Sequence, residues 1–194
     1  MSFADLNSAE RHRQIAGDFT IRVQGVTDWD APTPVAGWTT HDVVDHLLTW
    51  LPGLLSTGGV AFPTNPSVTD DPVAAWSFHA NAVQELLDDP ERAAAPCSHP
   101  QVGSMSAGDA IDRLYTSDVF MHTWDLARAS GQDATLEPGF CTHLLAGMEA
   151  MEDAIRASGQ YGTRVEVPPD ADPQTRLLGF IGRDPSWQPD RPAS

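Results

Sequence analysis

The segment Ile111-Asp-Arg-Leu-Tyr-Thr-Ser-Asp-Val-Phe-Met-His-Thr-Trp-Asp-Leu-Ala-Arg-Ala129 places Asp118 and His122 four residues apart inside an apolar stripe. At about 100° of rotation per residue the two fall roughly 40° apart on a helix. Ile111, Leu114, Tyr115, Leu126 and Ala129 lie on the same face. Such a face buries hydrocarbon, and an unpaired ionised carboxylate there is prohibitively costly. Asp118 is therefore protonated, ion-paired, hydrogen-bonded or bound to a metal. An imidazole one turn away makes a metal the sharpest of these options.

Helix punctuation on either side of this segment is unusually legible. Asn7 with Glu10, and Thr39 with Asp42, have capping-box spacing at the head of helical patterns. Asp71-Pro72 and Glu137-Pro138 combine a start signal with proline at the first helical position, and Ser106 with Asp109 opens the segment carrying Asp118. Gly131 and Gly159 supply stops. These signals predict helices over 7–26, 39–56, 72–88, 106–130 and 138–158, then a short amphipathic helix from Gln174 to Ile181. Strand patterning is confined to Thr163-Arg-Val-Glu-Val167, and the Pro-rich tail from Ser186 to Ser194 is expected to drape over the surface or fray.

The fold class is thus all-α: a four-helix bundle with a long crossover around Gly58 to Asp70, an additional helix, and a short C-terminal strand/helix tail. Residues 1–158 are expected to form the bundle, with 159–194 as an extension packing on it.

Composition narrows the function classes. The 194 residues carry a formal net charge of -16, and all 11 basic residues are arginines spread along the chain. Phosphate recognition needs clustered cations, so no nucleic acid and no anionic membrane is expected as a partner. The N-terminal residues lack the basic start and apolar run of a signal peptide, and no stretch approaches the ~20 apolar residues of a membrane span. The chain is expected to be cytoplasmic. Cys97 and Cys141 stand far apart with no C-x-x-C, which argues against a disulfide framework or a thiolate zinc site. No G-x-S-x-G, H-E-x-x-H or P-loop points to a hydrolase or nucleotide enzyme.

A metal in a bundle needs ligands from facing helices, since two side chains on one helix leave a divalent ion under-coordinated. His12, His41, His99 and His143 are poorly placed, which leaves His46 at the edge of the second helix's apolar face and His79 within that of the third. Periodicity does not separate them, and for either the plainer reading is a core histidine bonded to a backbone carbonyl. Asp42 repeats the Asp-x-x-x-His spacing with His46, but its capping position accounts for it. Asp125 is placed to orient a ligand histidine or to bond near Trp124. Tyr115, one turn before Asp118, has two readings, a hydrogen bond to a metal-bound ligand or core packing with its hydroxyl satisfied, of which core packing is favoured.

Two runs carry a family resemblance. Gly37-Trp-Thr-Thr-His-Asp-Val-Val-Asp-His-Leu47 resembles the second-helix signature W-T-x-x-D-x-x-x-H-L of the mycothiol-dependent maleylpyruvate isomerase metal-binding domains, a branch of the DinB-like superfamily. Asp118-Val-Phe-Met-His-Thr-Trp-Asp-Leu-Ala-Arg-Ala-Ser-Gly131 is similar to the later-helix signature of an actinobacterial group in that branch, and Gly182-Arg-Asp-Pro185 to its ending. The resemblance implies a DinB-like bundle holding one divalent metal through His46, Asp118 and His122, and it selects His46 over His79. In the isomerase the carboxylate is Glu, one methylene longer than Asp118, and a longer C-terminal domain follows the bundle.

Two histidines and one carboxylate leave coordination positions open, as in reactive rather than structural sites. The resemblance implies a low-molecular-weight thiol of the mycothiol type as cosubstrate. The expected function is a metal-dependent thiol transferase or isomerase acting on a small electrophile, with zinc as the first choice of ion and nickel, iron or manganese behind it. A second copy of the chain, in a homodimer, is a further candidate partner. The alternatives are a non-catalytic metal- or small-molecule-binding bundle, and a helical oligomerisation module in which Asp118 and His122 form a buried pair. Arg183 has two readings, a bidentate ligand for a substrate carboxylate or a salt bridge pinning the tail, of which the salt bridge is favoured.

Overall fold

A computed structural model describes residues 2–99 and 103–189. After a 3-10 turn at Phe3–Asp5 come α1 (Ser8–Gln24), α2 (Thr40–Ser56), α3 (Pro72–Asp88) and α4 (Pro90–Ala94). A hairpin of β1 (Pro96–His99) and β2 (Gly103–Ser106) follows. Next are α5 (Ala107–Ala110), a π-helical stretch Ile111–Thr116, and α6 (Ser117–Ala129). The chain continues through α7 (Pro138–Glu149), α8 (Glu152–Ser158) and α9 (Pro173–Phe180).

α1 packs on both α3 and α6, and α2 packs on the same two, so these four helices close a ring of contacts around one core. This is the expected all-α, DinB-like four-helix bundle. The core is lined from α1 by Ile15, Phe19 and Val23, from α2 by Val44, Leu47, Leu51 and Leu55, and from α3 by Trp76, Val83 and Leu86. The Trp76 indole lies 4.5 Å from the Phe19 ring and donates through Nε1 to Thr20 Oγ1 at 2.8 Å, so its one polar atom is satisfied inside the bundle.

Both predicted capping boxes form: Asn7 Oδ1 accepts from Glu10 N, and Thr39 Oγ1 accepts from Asp42 N while Asp42 returns a bond to Thr39 N at 2.7 Å. Asp42 is thereby held in the cap. Asp71 caps α3 ahead of Pro72, and Glu137 caps α7 ahead of Pro138. Pro52 sits inside α2, where it has no N–H to offer the Leu48 carbonyl four residues back. The Asn65 side-chain amide supplies that missing donor, reaching Leu48 O at 2.9 Å. The crossover between α2 and α3 is therefore anchored where the proline left an acceptor free.

Four expectations need correction. The predicted strand Thr163–Val167 does not pair with another strand among the described residues. Its extended backbone lies against α9 instead, with Val165 N–H donating to Gly179 O at 2.9 Å, and a Cβ at Gly179 would stand 2.7 Å from Val165 O. The sheet present is the antiparallel hairpin of β1 and β2, a region whose sequence reads only as loop. Residues such as Pro96, Ser98, Gly103 and Ser104 have weak strand propensity. The hairpin is held by its setting: Ser98 exchanges two bonds with Thr57 Oγ1 at 3.0 Å, and Gly58 passes so close that a Cβ there would overlap Pro96 O.

The helix predicted over 138–158 divides at Met151 (φ -122°, ψ 21°), where a tight Met151 N–H to Met148 O turn ends α7 and the Met151 carbonyl starts α8. The helix predicted over 106–130 runs through but widens to π geometry over Ile111–Thr116. In the tail, Arg128 holds the Trp187 carbonyl, and residues from 190 onward lie outside the described set.

Candidate metal centre

The π stretch ends immediately before α6, so Asp118 and His122 stand on the first turns of a helix whose approach has been rewound. A π turn holds more backbone than an α turn and shifts the face presented by the residues around it. Asp118 and His122 look across to α2. His46 Nε2 lies 2.9 Å from Asp118 Oδ2, and His122 Nε2 lies 3.5 Å from Asp118 Oδ1. Ligand atoms of His46, Asp118 and His122 all fall within 4.8 Å of one another. The three residues expected together are brought together, two from α6 and one from α2.

Indoles surround this cluster. Trp50, one turn beyond His46, donates from Nε1 to Asp118 Oδ2 at 3.1 Å and so fixes the carboxylate plane. Trp38, just before α2, lies 4.9 Å from the His46 ring and stacks on the His122 ring at 5.7 Å with an 18° interplanar angle. Trp38 as a wall of the site is not deducible from periodicity, because it precedes the helix. Its signal is its place within the W-T-x-x-D-x-x-x-H-L run.

Behind His122 is a buried ionic chain. His122 Nδ1 lies 2.9 Å from Asp125 Oδ2, and Asp125 accepts from Arg183 Nε at 2.9 Å and Nη2 at 3.1 Å. Asp125 is fully buried. The structure thus places Asp125 against a histidine, and Arg183 in the salt bridge rather than free in the mouth. A carboxylate clamped by a guanidinium is ionised and can only accept, so His122 Nδ1 carries hydrogen and Nε2 faces Asp118.

The charges follow. Burial opposes ionisation of Asp118, but His122, His46 and the Trp50 N–H outweigh it and hold its carboxyl below the usual range. Asp125 is likewise held low against burial by its bond to His122 and by the Arg183 charge. Burial works against a charged His122, yet Asp118 and Asp125 on its two sides raise it above an ordinary histidine.

The other histidines take different roles. His79 Nδ1 lies 3.0 Å from Asn65 Oδ1, and since the Asn65 amide nitrogen is committed to Leu48 O, the ring nitrogen is the donor. His79 is therefore a core histidine, bonded to a side-chain amide in place of the expected backbone carbonyl. His12 Nδ1 pairs in the same way with Gln84 Oε1 at 2.9 Å, the Gln84 nitrogen being spent on Ala9 O and Asp88. Burial lowers His12 to about 4 and His79 to about 3. His143 stacks on Phe140, 5.8 Å away, and the side chain of His99 lies outside the described set. The Tyr115 hydroxyl is buried with no partner among the described residues, contrary to the expectation that it is satisfied; its ring packs 5.5 Å from His79 and 5.7 Å from Trp50.

Comparison with known proteins gives the family. The sequence model of the family described as mycothiol maleylpyruvate isomerase N-terminal domain matches residues 12–127, a span that includes all three clustered residues. Uncharacterized proteins from two strains of Mycobacterium tuberculosis are each 31% identical over 156 residues, covering 78% of this chain and 83% of theirs. No solved structure gives a significant match. No helix among the described residues is long and apolar enough to cross a membrane.

Proposed function

Because this chain belongs to the mycothiol maleylpyruvate isomerase N-terminal domain family, we propose that it binds one divalent metal through His46, Asp118 and His122 and transfers or isomerises a small electrophile with a mycothiol-type thiol. The observation that carries the reading is the convergence of two imidazole nitrogens and one carboxylate from facing helices, with ligand atoms within 4.8 Å of one another. The donor set fits a cation of intermediate hardness, zinc first, then nickel, iron or manganese. When bound, such an ion lowers the pKa of a thiol or water held in an open position.

The chain's own residues supply the rest. Trp50 orients the Asp118 carboxylate, Asp125 fixes the tautomer of His122, and Trp38 forms an apolar wall across both imidazoles. A wall of that kind keeps water off a nucleophile and offers a flat surface to a small substrate. The protein's own thiols are poor candidates for the nucleophile. Cys141 is buried and pushed up to about 12, and Cys97 is buried and raised as well. A reactive cysteine needs the opposite environment, which favours a thiol brought in from solution. Residues 1–158 are then assigned as the metal-binding unit and 159–194 as its C-terminal extension, and the setting is cytoplasmic.

The test begins with elemental analysis of protein purified without chelator or metal-affinity steps. Near-stoichiometric divalent metal is expected, lost in Asp118→Ala while the helical circular dichroism remains. A screen of mycothiol with assorted electrophiles on metal-replete protein is expected to show turnover that His46→Ala abolishes. Metal without turnover leaves a binding bundle only, and absence of metal in the wild type removes the proposal.

A further inference from the structure

Arg183 stands on the turn that ends α9, remote in sequence from the bundle, yet its guanidinium is bidentate to Asp125 and only 13% of its side chain is exposed. The turn is held by a backbone crossing: Gly182 adopts φ +82°, and a Cβ there would stand 2.6 Å from Gly162 C. The same segment is tied down by Arg128, which holds the Trp187 carbonyl, and by Arg156 Nη2, which donates to Phe180 O at 2.7 Å. Asp125 in turn accepts from His122 Nδ1 at 2.9 Å. One unbroken chain of charge-assisted contacts thus joins the C-terminal segment to an imidazole of the candidate site.

Each link constrains the next. Arginine stays protonated in proteins, so Asp125 beside it stays ionised and has no hydrogen to give. His122 must then donate through Nδ1, which leaves Nε2 as the atom that faces Asp118 and His46 and sets the plane in which its lone pair lies. The guanidinium matches the carboxylate at two points, which fixes orientation as well as charge. Arg183 is consequently occupied and does not serve as a ligand for a substrate carboxylate.

We propose that Arg183 is a positioning residue for the metal site, acting through Asp125 on His122, so that metal affinity and docking of the segment 161–187 are thermodynamically linked. This rests on the metal-binding reading of His46, Asp118 and His122. Linkage is reciprocal: if the docked segment tightens metal binding, the metal tightens docking of the segment by the same factor. Removal of an outer partner of a ligating histidine typically weakens metal affinity by about 10–100-fold.

The experiment uses the full chain as wild type, Arg183→Met and Arg183→Lys. Zinc affinity is measured by competition with a chromogenic chelator, the visible spectrum is recorded with Co2+ in place of zinc, and limited proteolysis of the C-terminal segment is followed with and without zinc. The expected result is about a 10–100-fold loss of zinc affinity in Arg183→Met, a smaller loss in Arg183→Lys, and an altered Co2+ spectrum in both. Zinc is expected to slow cleavage of the C-terminal segment in the wild type and to do so less in the variants. A merely structural salt bridge would lower stability without moving the Co2+ spectrum.

Should Arg183→Met fail to fold because Asp125 is left unpaired, Arg183→Lys keeps a cation opposite it and decides the matter alone. Zinc affinity within twofold of wild type and an unchanged Co2+ spectrum in that variant overturn the coupling and leave the metal site standing. A wild type that binds none of zinc, cobalt, nickel, iron or manganese overturns both.

Discussion

Lowering the pH from 7 to 5 is expected to strip about 4 kcal/mol from the fold through His12 and His79 alone. Both rings are buried, with 1% and 0% of their surface exposed, and desolvation lowers them from 6.5 to about 4 and about 3. The bond to Gln84 and the Asp88 carboxylate work the other way on His12, and Arg13 assists burial; on His79 the charge of His12 adds to the effect. In the unfolded chain each histidine takes its proton near pH 6.5, whereas in the fold it declines the proton until the pH is far lower.

Their contribution to stability is therefore complete above about pH 6.5 and drains away as pH falls toward the folded values, at about 1.4 kcal/mol per unit for each ring. At pH 5 that is roughly 2 kcal/mol apiece, a large part of the 5–15 kcal/mol typical of a domain. Urea unfolding followed by circular dichroism at pH 7, 6 and 5 reads it directly. With a slope of about 2 kcal/mol/M the midpoint falls by about 2 M across the range. His12→Asn and His79→Asn keep a donor where Nδ1 stood and cannot titrate. Each is expected to flatten the pH dependence by about half. If both single variants lose as much stability as the wild type between pH 7 and 5, the buried-neutral assignment is wrong.

Three further substitutions probe the framework. Gly182→Ala forces a side chain into φ +82° and against Gly162, and is expected to cost about 1–3 kcal/mol in thermal or urea unfolding; a neutral result would mean the crossing is looser than described. Thr20→Val leaves the Trp76 Nε1–H buried without its acceptor, for an expected loss of about 1–3 kcal/mol of unfolding free energy in urea at nearly unchanged volume. Thr39→Ala removes the cap of α2, with an expected loss of about 1 kcal/mol. An unchanged midpoint there would show that Asp42 and the backbone hold that helix start unaided.

The sequence disclosed what local chemistry determines. Capping boxes at Asn7 and Thr39 and the prolines at 72 and 138 located helix starts, because a cap is decided by residues within one turn. Asp118 and His122 announced themselves as polar groups on an apolar face. His46 and His79 looked alike because periodicity reports which face a residue occupies and not what stands opposite. The family resemblance implied the choice, and the fold supplies its physical content: one faces Asp118 and the other Asn65.

The β1–β2 hairpin was illegible because its support comes from Thr57 and Gly58, about forty residues earlier, rather than from strand propensity. A separation of 58 residues hid the partnership of Arg183 with Asp125. The π widening at Ile111–Thr116 left no trace either, since an apolar stripe tolerates a change of winding without a change of composition.

Pro52, Asn65 and His79 are coupled through one side chain. The proline removes a hydrogen, the asparagine replaces it with one hand and with the other receives the histidine. A substitution that restores an amide hydrogen at position 52 makes the Asn65 amide nitrogen redundant at Leu48 and leaves Asn65 needed as the acceptor of His79 Nδ1, so the three positions constrain one another although no two are neighbours in the chain. The effect of Asn65→Ala should accordingly shrink once Pro52→Ala is present, and strict additivity of the two in a double-mutant cycle would separate them again.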